Sequence, residues 1–290
     1  MKLKLKFKKI AICASQKNNQ IDEIAKQCCE VLKSLDVIVY VNDNLSSVVN
    51  STKSKVVNDK TLKQADLMVV IGGDGSILGF ARRFGSLGIP LLGINLGNLG
   101  FLADIAPENL TSILTDIAYG KFKKDKRFFL EASINSEKRP YIALNEIVIH
   151  SGKVAQLIEY EVFIDEVFVY RQRADGLIIN SPTGSTAYSL SGGGPIIHPD
   201  VKAITLLPMF PHSLSTSPLL VKDTSNIEIV MIGSKNKATL SMDSHNSLSL
   251  KKGDSILIQK TSYDLTLIHP RDHNFFSACR NKLGWSSAIT

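Results

Sequence analysis

Leu67-Met68-Val69-Val70-Ile71-Gly72-Gly73-Asp74-Gly75-Ser76-Ile77-Leu78 reads as a buried strand that ends in glycines and opens into a helix. Glycine lets the backbone turn with φ > 0 and lets a phosphate come close. The amides at the start of a helix then face an anion. The segment is not the dinucleotide fingerprint GxGxxG, because Leu78 stands where the third glycine belongs. It is not a P-loop, because no GK[ST] follows. Asp74 is out of place in such a turn, since a carboxylate repels phosphate. It is useful there if it takes a proton or holds a metal beside the phosphate. Taken alone, the turn reads equally as a tight connection with Asp74 solvated; the flanking strand and helix favour phosphate binding.

Outward from this turn, strands and helices alternate. Lys9–Ala14, Val37–Val41 and Pro90–Ile94 read as strands, and Ser76–Phe84 as a helix. Ile21, Ile24, Ala25, Cys28, Val31, Leu32 and Leu35 mark a helix with one apolar face, and Leu110, Ile113, Leu114, Ile117 and Ala118 another. Asn42–Lys55, with four serines, reads as a loop. A second glycine turn, Asn95-Leu96-Gly97-Asn98-Leu99-Gly100-Phe101, follows the strand at Pro90–Ile94. This pattern predicts a Rossmann-like α/β domain with a mostly parallel sheet, whose ligands bind beyond the carboxyl ends of strands, where both glycine turns lie.

Near Lys126 the pattern changes to short β-rich runs: 128–134, 141–150, 158–164, 166–173, 176–180, 203–208, 227–232, 238–242, 254–260 and 265–269. They predict an all-β second domain, a sandwich. A short helix over 274–282 would return to the first domain. The expected boundaries are 1–123, joined by the tail 271–290, and 124–270.

Composition narrows the class. The 290 residues are 44% hydrophobic and 21% charged, as in a soluble globular protein. No apolar run reaches the ~18 residues of a membrane span. The basic start, Met1 to Lys9, alternates and lacks the apolar stretch of a signal peptide. It holds five lysines and no acid, which leaves +2 of the net charge of +7 for the rest. No basic face for nucleic acid is visible elsewhere. Cys13, Cys28, Cys29 and Cys279 form no CxxC pair, so neither a disulfide framework nor a zinc site is expected, and a reducing, cytoplasmic compartment follows. His150, His198, His212, His245, His269 and His273 show no metal-ligand spacing, and no metal ligand is assigned.

Two further segments carry polar chemistry. Asn145-Glu146 breaks an apolar β run, and polar residues there need partners; a bulge or exposed face is the alternative. The segment Arg173 to Pro195 packs hydroxyls, glycines and Tyr188 behind the apolar Leu177–Ile179, offering hydroxyls, bare amides and a stacking ring. Asp175-Gly176 also reads as a hairpin turn. Met242-Asp243-Ser244-His245 reads as a turn and Trp285 as a packing anchor.

Together these motifs resemble the NAD kinase family in its proteobacterial form. The resemblance rests on Gly72-Gly73-Asp74-Gly75, Gly97 to Leu102, Asn145-Glu146, Asp175 to Pro195, Leu207 to His212 and Leu283-Gly284-Trp285. It implies phosphorylation of the 2′-hydroxyl of the adenosine ribose of NAD by ATP. Asp74 is then the proton acceptor. Gly72, Gly73, Asp74, Gly75 and Ser76 form the ATP-phosphate loop, with a divalent cation, Mg²⁺, as cofactor. For NAD the resemblance implies Asp74, Gly75, Phe101, Asn145, Glu146, Asp175, Thr186, Ala187, Tyr188, Ser189, Leu190 and Ser191, and more weakly Gln156, Arg173 and His245, often from a neighbouring subunit. A homo-oligomer, dimer or tetramer, built through the β domain is implied, with no nucleic-acid or membrane partner. Another GGDG kinase acting on a lipid or small alcohol would need an apolar groove, whereas the dense loop is polar. A non-catalytic NAD(P)-binding module would not want the Asp74 carboxylate.

Overall fold

The computed structural model describes residues 4–52, 54–97, 100–152, 156–213, 216–234 and 238–285. Asn98 and Leu99 of the second glycine turn lie outside them. The chain forms two compact units, Met1–Lys126 with Leu265–Thr290, and Arg127–Asp264.

The first unit contains β1 (Lys9–Ala14), α1 (Asn19–Ser34), β2 (Ile38–Val41), α2 (Val49–Thr52), β3 (Lys55–Val56), α3 (Asp59–Leu62), β4 (Leu67–Ile71), α4 (Asp74–Phe84), β5 (Leu91–Ile94) and α5 (Leu110–Ala118). Its parallel sheet runs in the order β5-β4-β1-β2-β3. Asn18 caps α1, its side chain accepting from Ile21 N at 2.8 Å. Ile21, Ile24, Ala25, Cys28, Cys29 and Leu32 then turn inward. β4 is buried at every position, as a central parallel strand covered on both faces must be, and each side chain contributes about 1.5–3 kcal/mol of burial.

The second unit is an antiparallel β sandwich. Its strands are β6 (Lys123–Ile134), which begins in the first unit, β7 (Tyr141–Ala143), β8 (Glu146–His150), β9 (Ile158–Ile164), β10 (Val167–Ala174) and β11 (Gly176–Asn180). After the short helix α6 (Tyr188–Ser191) come β12 (Ala203–Met209), β13 (Leu219–Lys222), β14 (Ile227–Ser234), β15 (Ala238–Met242), β16 (His245–Leu250) and β17 (Ser255–His269). One sheet runs β10-β9-β14-β17 with β6 and β7 beside it, the other β13-β12-β11-β8-β15-β16. Their inner faces share a core that includes Phe128, Ile147, Tyr160, Leu177, Ile179, Leu206 and Ile229. The last residues of β17 belong to the first unit, where Leu267 pairs in parallel with Leu91, and α7 (Phe275–Leu283) follows.

Several elements depart from the sequence expectations. Asn42–Lys55 is not a loop: Asp43–Val48 forms a 3-10 helix that runs into α2. Leu45 and Val48, three residues apart, are buried and anchor the turn that the serines conceal. The run 141–150 is two strands, broken at Leu144-Asn145. The runs 254–260 and 265–269 are one continuous strand. Asp175-Gly176 is not a hairpin turn, because β10 pairs with β9 whereas β11 pairs with β8 and β12; the chain changes sheets there. Trp285 is more than half exposed rather than a packing anchor. Among the described residues no helix is long and apolar enough to cross a membrane.

Candidate functional site

In the first unit the site is built on the turn between β4 and α4. Gly72 has φ +146°, and a Cβ there would lie 2.4 Å from Ser76 Oγ, so the position requires glycine. Gly73 and Gly75 are different: both are exposed, and a Cβ on either would meet nothing within 4 Å. Packing within the chain does not demand glycine at those two positions, and the space in front of them is open. The N-terminus of α4 and its dipole favour an anion in front of it.

Asp74 opens α4 and is fixed by the second glycine turn. Its Oδ2 accepts from Phe101 N at 2.9 Å, and its Oδ1 from Leu102 N at 3.1 Å and Ala103 N at 3.0 Å. The turn comes this close because residue 100 is glycine; a Cβ there would stand 1.8 Å from Oδ1. Asn95 braces the turn, accepting from Gly97 N at 3.0 Å and donating to Ala103 O at 3.3 Å. Lys282 of α7 brings its Nζ to 3.4 Å from Asp74 Oδ2 and 5.0 Å from the Phe101 ring centroid. Phe275 lies 6.2 Å from the same ring. Ser76 Oγ is 2.7 Å from Ser15 Oγ at the end of β1. A carboxylate offers about four acceptor positions; amides fill three, and the Lys282 ammonium faces Oδ2.

In the second unit a different carboxylate holds the Asn145-Glu146 break. Asp243 Oδ2 accepts from Leu144 N at 3.0 Å, and Oδ1 from Asn145 N at 2.8 Å and Glu146 N at 3.2 Å. Asp243 N returns a bond to Glu146 O at 3.0 Å. Glu146 is buried, and its Oε2 has no hydrogen-bond partner. Burial, reinforced by the nearby Asp243 charge, pushes its carboxyl up to about 8, against the opposing pull of the Tyr188 amide. Glu146 is therefore mostly protonated at neutral pH. Across the strands it stands opposite Asn180, which stands opposite Thr205. Asn180 Oδ1 and Thr205 Oγ1 are also buried without partners, so three unmet polar atoms lie on one row of this sheet.

The dense loop folds as a 3-10 helix, Thr183–Thr186, followed by α6. Gly184 lets it close on the break: a Cβ there would lie 2.2 Å from Asn145 O. Ser181 reinforces this contact, its N donating to Asn145 O at 2.9 Å and its Oγ to Leu144 O at 2.6 Å. Tyr188 is 44% exposed.

A family model for the ATP-NAD kinase N-terminal domain matches residues 10–122, and one for the C-terminal domain matches residues 144–270. The chain belongs to the ATP-NAD kinase family. It is 49% identical over 230 residues to an NAD kinase of Escherichia coli O1:K1, covering 78% of this chain and 79% of that one. An Enterobacter NAD kinase is 50% identical over the same length and shares. Among solved structures, yeast NADH kinase complexed with NADH superposes with a TM-score of 0.88 at 27% identity, covering 98% of this chain and 89% of that chain. An Archaeoglobus fulgidus NAD kinase in complex with ATP superposes at 0.74 and 27%, covering 94% and 99%.

The sequence-expected positions of this chain fall into separate groups. Gly72 to Ser76 and Phe101 come together in the first unit. Asn145, Glu146 and Tyr188 come together in the second, with His245 tied to them through Nδ1 at 2.9 Å from Asp243 O. Thr186, Ala187 and Leu190 are half-buried and Ser191 exposed, whereas Ser189 is fully buried, its hydroxyl turned away from solvent. Asp175 is half-buried at the sheet change, Arg173 is exposed near the end of β10, and Gln156 is half-buried ahead of β9. Sequence reasoning missed Asp243, read as a turn, and Lys282. It also found no grouping among the histidines, yet His269 and His273 meet at Asp104. Each depends on contacts between residues about 100 or more apart in sequence.

Proposed function

We propose that this kinase transfers the γ-phosphoryl group of ATP to the 2′-hydroxyl of the adenosine ribose of NAD, with Asp74 receiving the hydroxyl proton. The observation that carries this reading is the Asp74 carboxylate, fixed by three amides at the N-terminus of α4. Phosphoryl transfer needs position and charge neutralisation more than covalent chemistry, and it needs a placed acceptor for the proton. Amides on three of its acceptor positions orient Asp74, and a ribose hydroxyl would take the fourth, on Oδ2, in place of the long 3.4 Å contact from Lys282 Nζ. The first-turn amides of α4 and the Lys282 ammonium supply positive charge for phosphate. Asp74 and Ser76 offer oxygen donors, which suit a Mg²⁺ that arrives on ATP with much of its water shell. When bound, that ion neutralises phosphate charge. On the NAD side, protonated Glu146 can donate to a ribose or amide oxygen, Asn145 and Asp175 flank the polar surface, and Tyr188 stacks on a ring.

The assembly is a homo-oligomer formed through the β unit. β10 is an end strand of its sheet, and Val167, Phe168 and Val169 on it are exposed, a combination that invites pairing with a second copy. Gln156, Arg173 and His245 then contribute to a neighbour's site. The free, buried cysteines suit the reducing cytoplasm.

The test is NADP formation by the purified chain with NAD, Mg²⁺ and ATP or polyphosphate. Absence of NADP with every donor would overturn the reading. Asp74→Asn is expected to keep NAD binding and lose turnover; unchanged turnover removes Asp74 from the proton-accepting role.

A further inference from the structure

At the base of α7, Asp104, His269 and His273 converge, and no part of the NAD kinase reading uses them. His269 Nδ1 lies 2.9 Å and His273 Nδ1 2.6 Å from the same oxygen, Asp104 Oδ2. The two imidazoles are stacked, with centroids 3.9 Å apart and planes 15° from parallel. One ligand atom from each of the three residues lies within 4.8 Å of the other two. His269 is fully buried, while Asp104 and His273 retain a narrow exposed edge. We propose that Asp104, His269 and His273 form a binding site for a zinc-class divalent cation that clasps the start of α7 to the loop holding Asp74.

Three features of the chemistry support a cation here. Two imidazole nitrogens and a carboxylate oxygen are the donor set that zinc takes when a further position stays open to water; Mg²⁺ prefers oxygen alone. His269 also has the outer partner that metal-ligating histidines use. Its Nε2 has no hydrogen-bond partner and faces Asp125 Oδ2 at 3.6 Å. With Nδ1 on a metal, Nε2 carries the proton and points it at that carboxylate. With a single proton on Nδ1 instead, the bare Nε2 lone pair would face a carboxylate inside the protein. Lastly, the Asp104 carboxylate touches both imidazoles and Asp125 faces His269, so the cluster has carboxylates on two sides, surroundings that favour a cation. The remaining alternative is a second proton on His269, shared between the two carboxylates, and the experiment separates proton from metal.

The location gives the clasp a consequence. Asp104 follows Ala103, whose amide holds Asp74 Oδ1 at 3.0 Å. His273 lies just before Asn274, the residue that caps α7 by accepting from Phe276 N. Cation binding therefore ties the loop that orients Asp74 to the helix that carries Lys282.

The full chain, stripped with a chelator, is titrated with Zn²⁺ against a chromogenic competitor, and with Co²⁺ while the visible spectrum is followed. The expected result is one ion per chain, a Co²⁺ spectrum of low-symmetry coordination, and a rise in Tm on adding Zn²⁺. His273→Ala, at the partly exposed ligand, is expected to weaken binding by at least about 10-fold and to abolish the Tm response. Asp125→Asn should weaken binding by about 10–100-fold, as outer partners do. His212→Ala, on the exposed surface of the other unit, should bind as wild type. Failure of the wild-type chain to bind Zn²⁺ saturably would overturn the proposal in favour of the protonated triad. Equal affinity in His273→Ala would place the ion elsewhere and overturn it as well. Neither outcome depends on kinase activity.

Discussion

Gly100→Ala tests whether the placement of Asp74 carries turnover. The added Cβ would fall 1.8 Å from Asp74 Oδ1 and 2.7 Å from its Cγ. Side-chain carbons essentially never approach another atom within 3.0 Å, so carboxylate and turn must separate by at least 1.2 Å, the difference between those two distances. The clash is with the Asp74 carboxylate itself, so a steric effect on Asp74 is expected. A displacement of that size breaks at least one of the amide bonds at 2.9–3.1 Å, a loss of about 1.5–3 kcal/mol for a charged acceptor. A misplacement of ~1 Å in a reacting group costs about 100-fold in rate. The expected result is a folded protein whose kcat for NADP formation falls by about 100-fold, or ~2.7 kcal/mol. The assay is initial-rate NADP formation, read through an NADP-specific dehydrogenase, with NAD and ATP varied separately. Gly73→Ala is the companion: its φ of −76° and ψ of −176° suit any residue, and its Cβ meets nothing in the chain. It should fold as wild type and raise KM for ATP, because the new methyl occupies the phosphate's approach. A folded Gly100→Ala enzyme with kcat within about twofold of wild type would refute the argument.

Asp243→Ala leaves three backbone amides without their acceptor; it should lower stability by about 2–4 kcal/mol in urea denaturation and weaken NAD binding, and a change below about 0.5 kcal/mol would contradict the bracing role. Glu146 has a folded-state pKa of about 8 against an ordinary 4.5, so the folded protein holds the extra proton between those values, and stability falls as pH rises across that window. Glu146→Gln removes this slope, and denaturation from pH 5 to 8.5 should show wild type losing stability relative to the variant; parallel profiles would exclude a buried neutral carboxyl. Tyr188→Ala should raise the Kd for NAD by about 5- to 100-fold, the worth of one stacked ring, and an unchanged Kd by calorimetry removes Tyr188 from the site.

The α/β architecture was legible because its signals are local. Ile21 to Leu35 carries a helical stripe, and the apolar run Leu67–Ile71 before glycine has one natural reading. The turn at Gly72 was legible too, since a φ of +146° leaves few residues to choose from. The serine-rich 43–48 segment misled, because Leu45 and Val48 are two apolar residues among polar ones and burial alone reveals them. Strands β13 and β16 were missed because their exposed faces dilute the pattern. In the candidate site, Asp74, Asn145, Glu146 and Tyr188 stood out as chemistry in unlikely places. Asp243 and Lys282 did not. An aspartate ending a strand and a lysine near the end of a helix are ordinary residues until the chain brings them to Asn145 and Asp74.

Asp74 and Asp243 also show why a carboxylate near a glycine turn need not be a solvated turn residue. Each accepts three consecutive amides: Phe101, Leu102 and Ala103 in one case, Leu144, Asn145 and Glu146 in the other. The two differ in what is left over. Asp243 is buried, where it holds the backbone of the break and, second to burial, raises the pKa of Glu146. Asp74 remains about one-quarter exposed beside the Lys282 ammonium, at the start of a helix whose glycines have open space in front of them. The same three-amide grip thus yields a brace when the carboxylate is enclosed and an oriented, reachable acceptor when one edge stays open. That difference in exposure, rather than the hydrogen bonds themselves, separates the residue suited to chemistry from the residue suited to support.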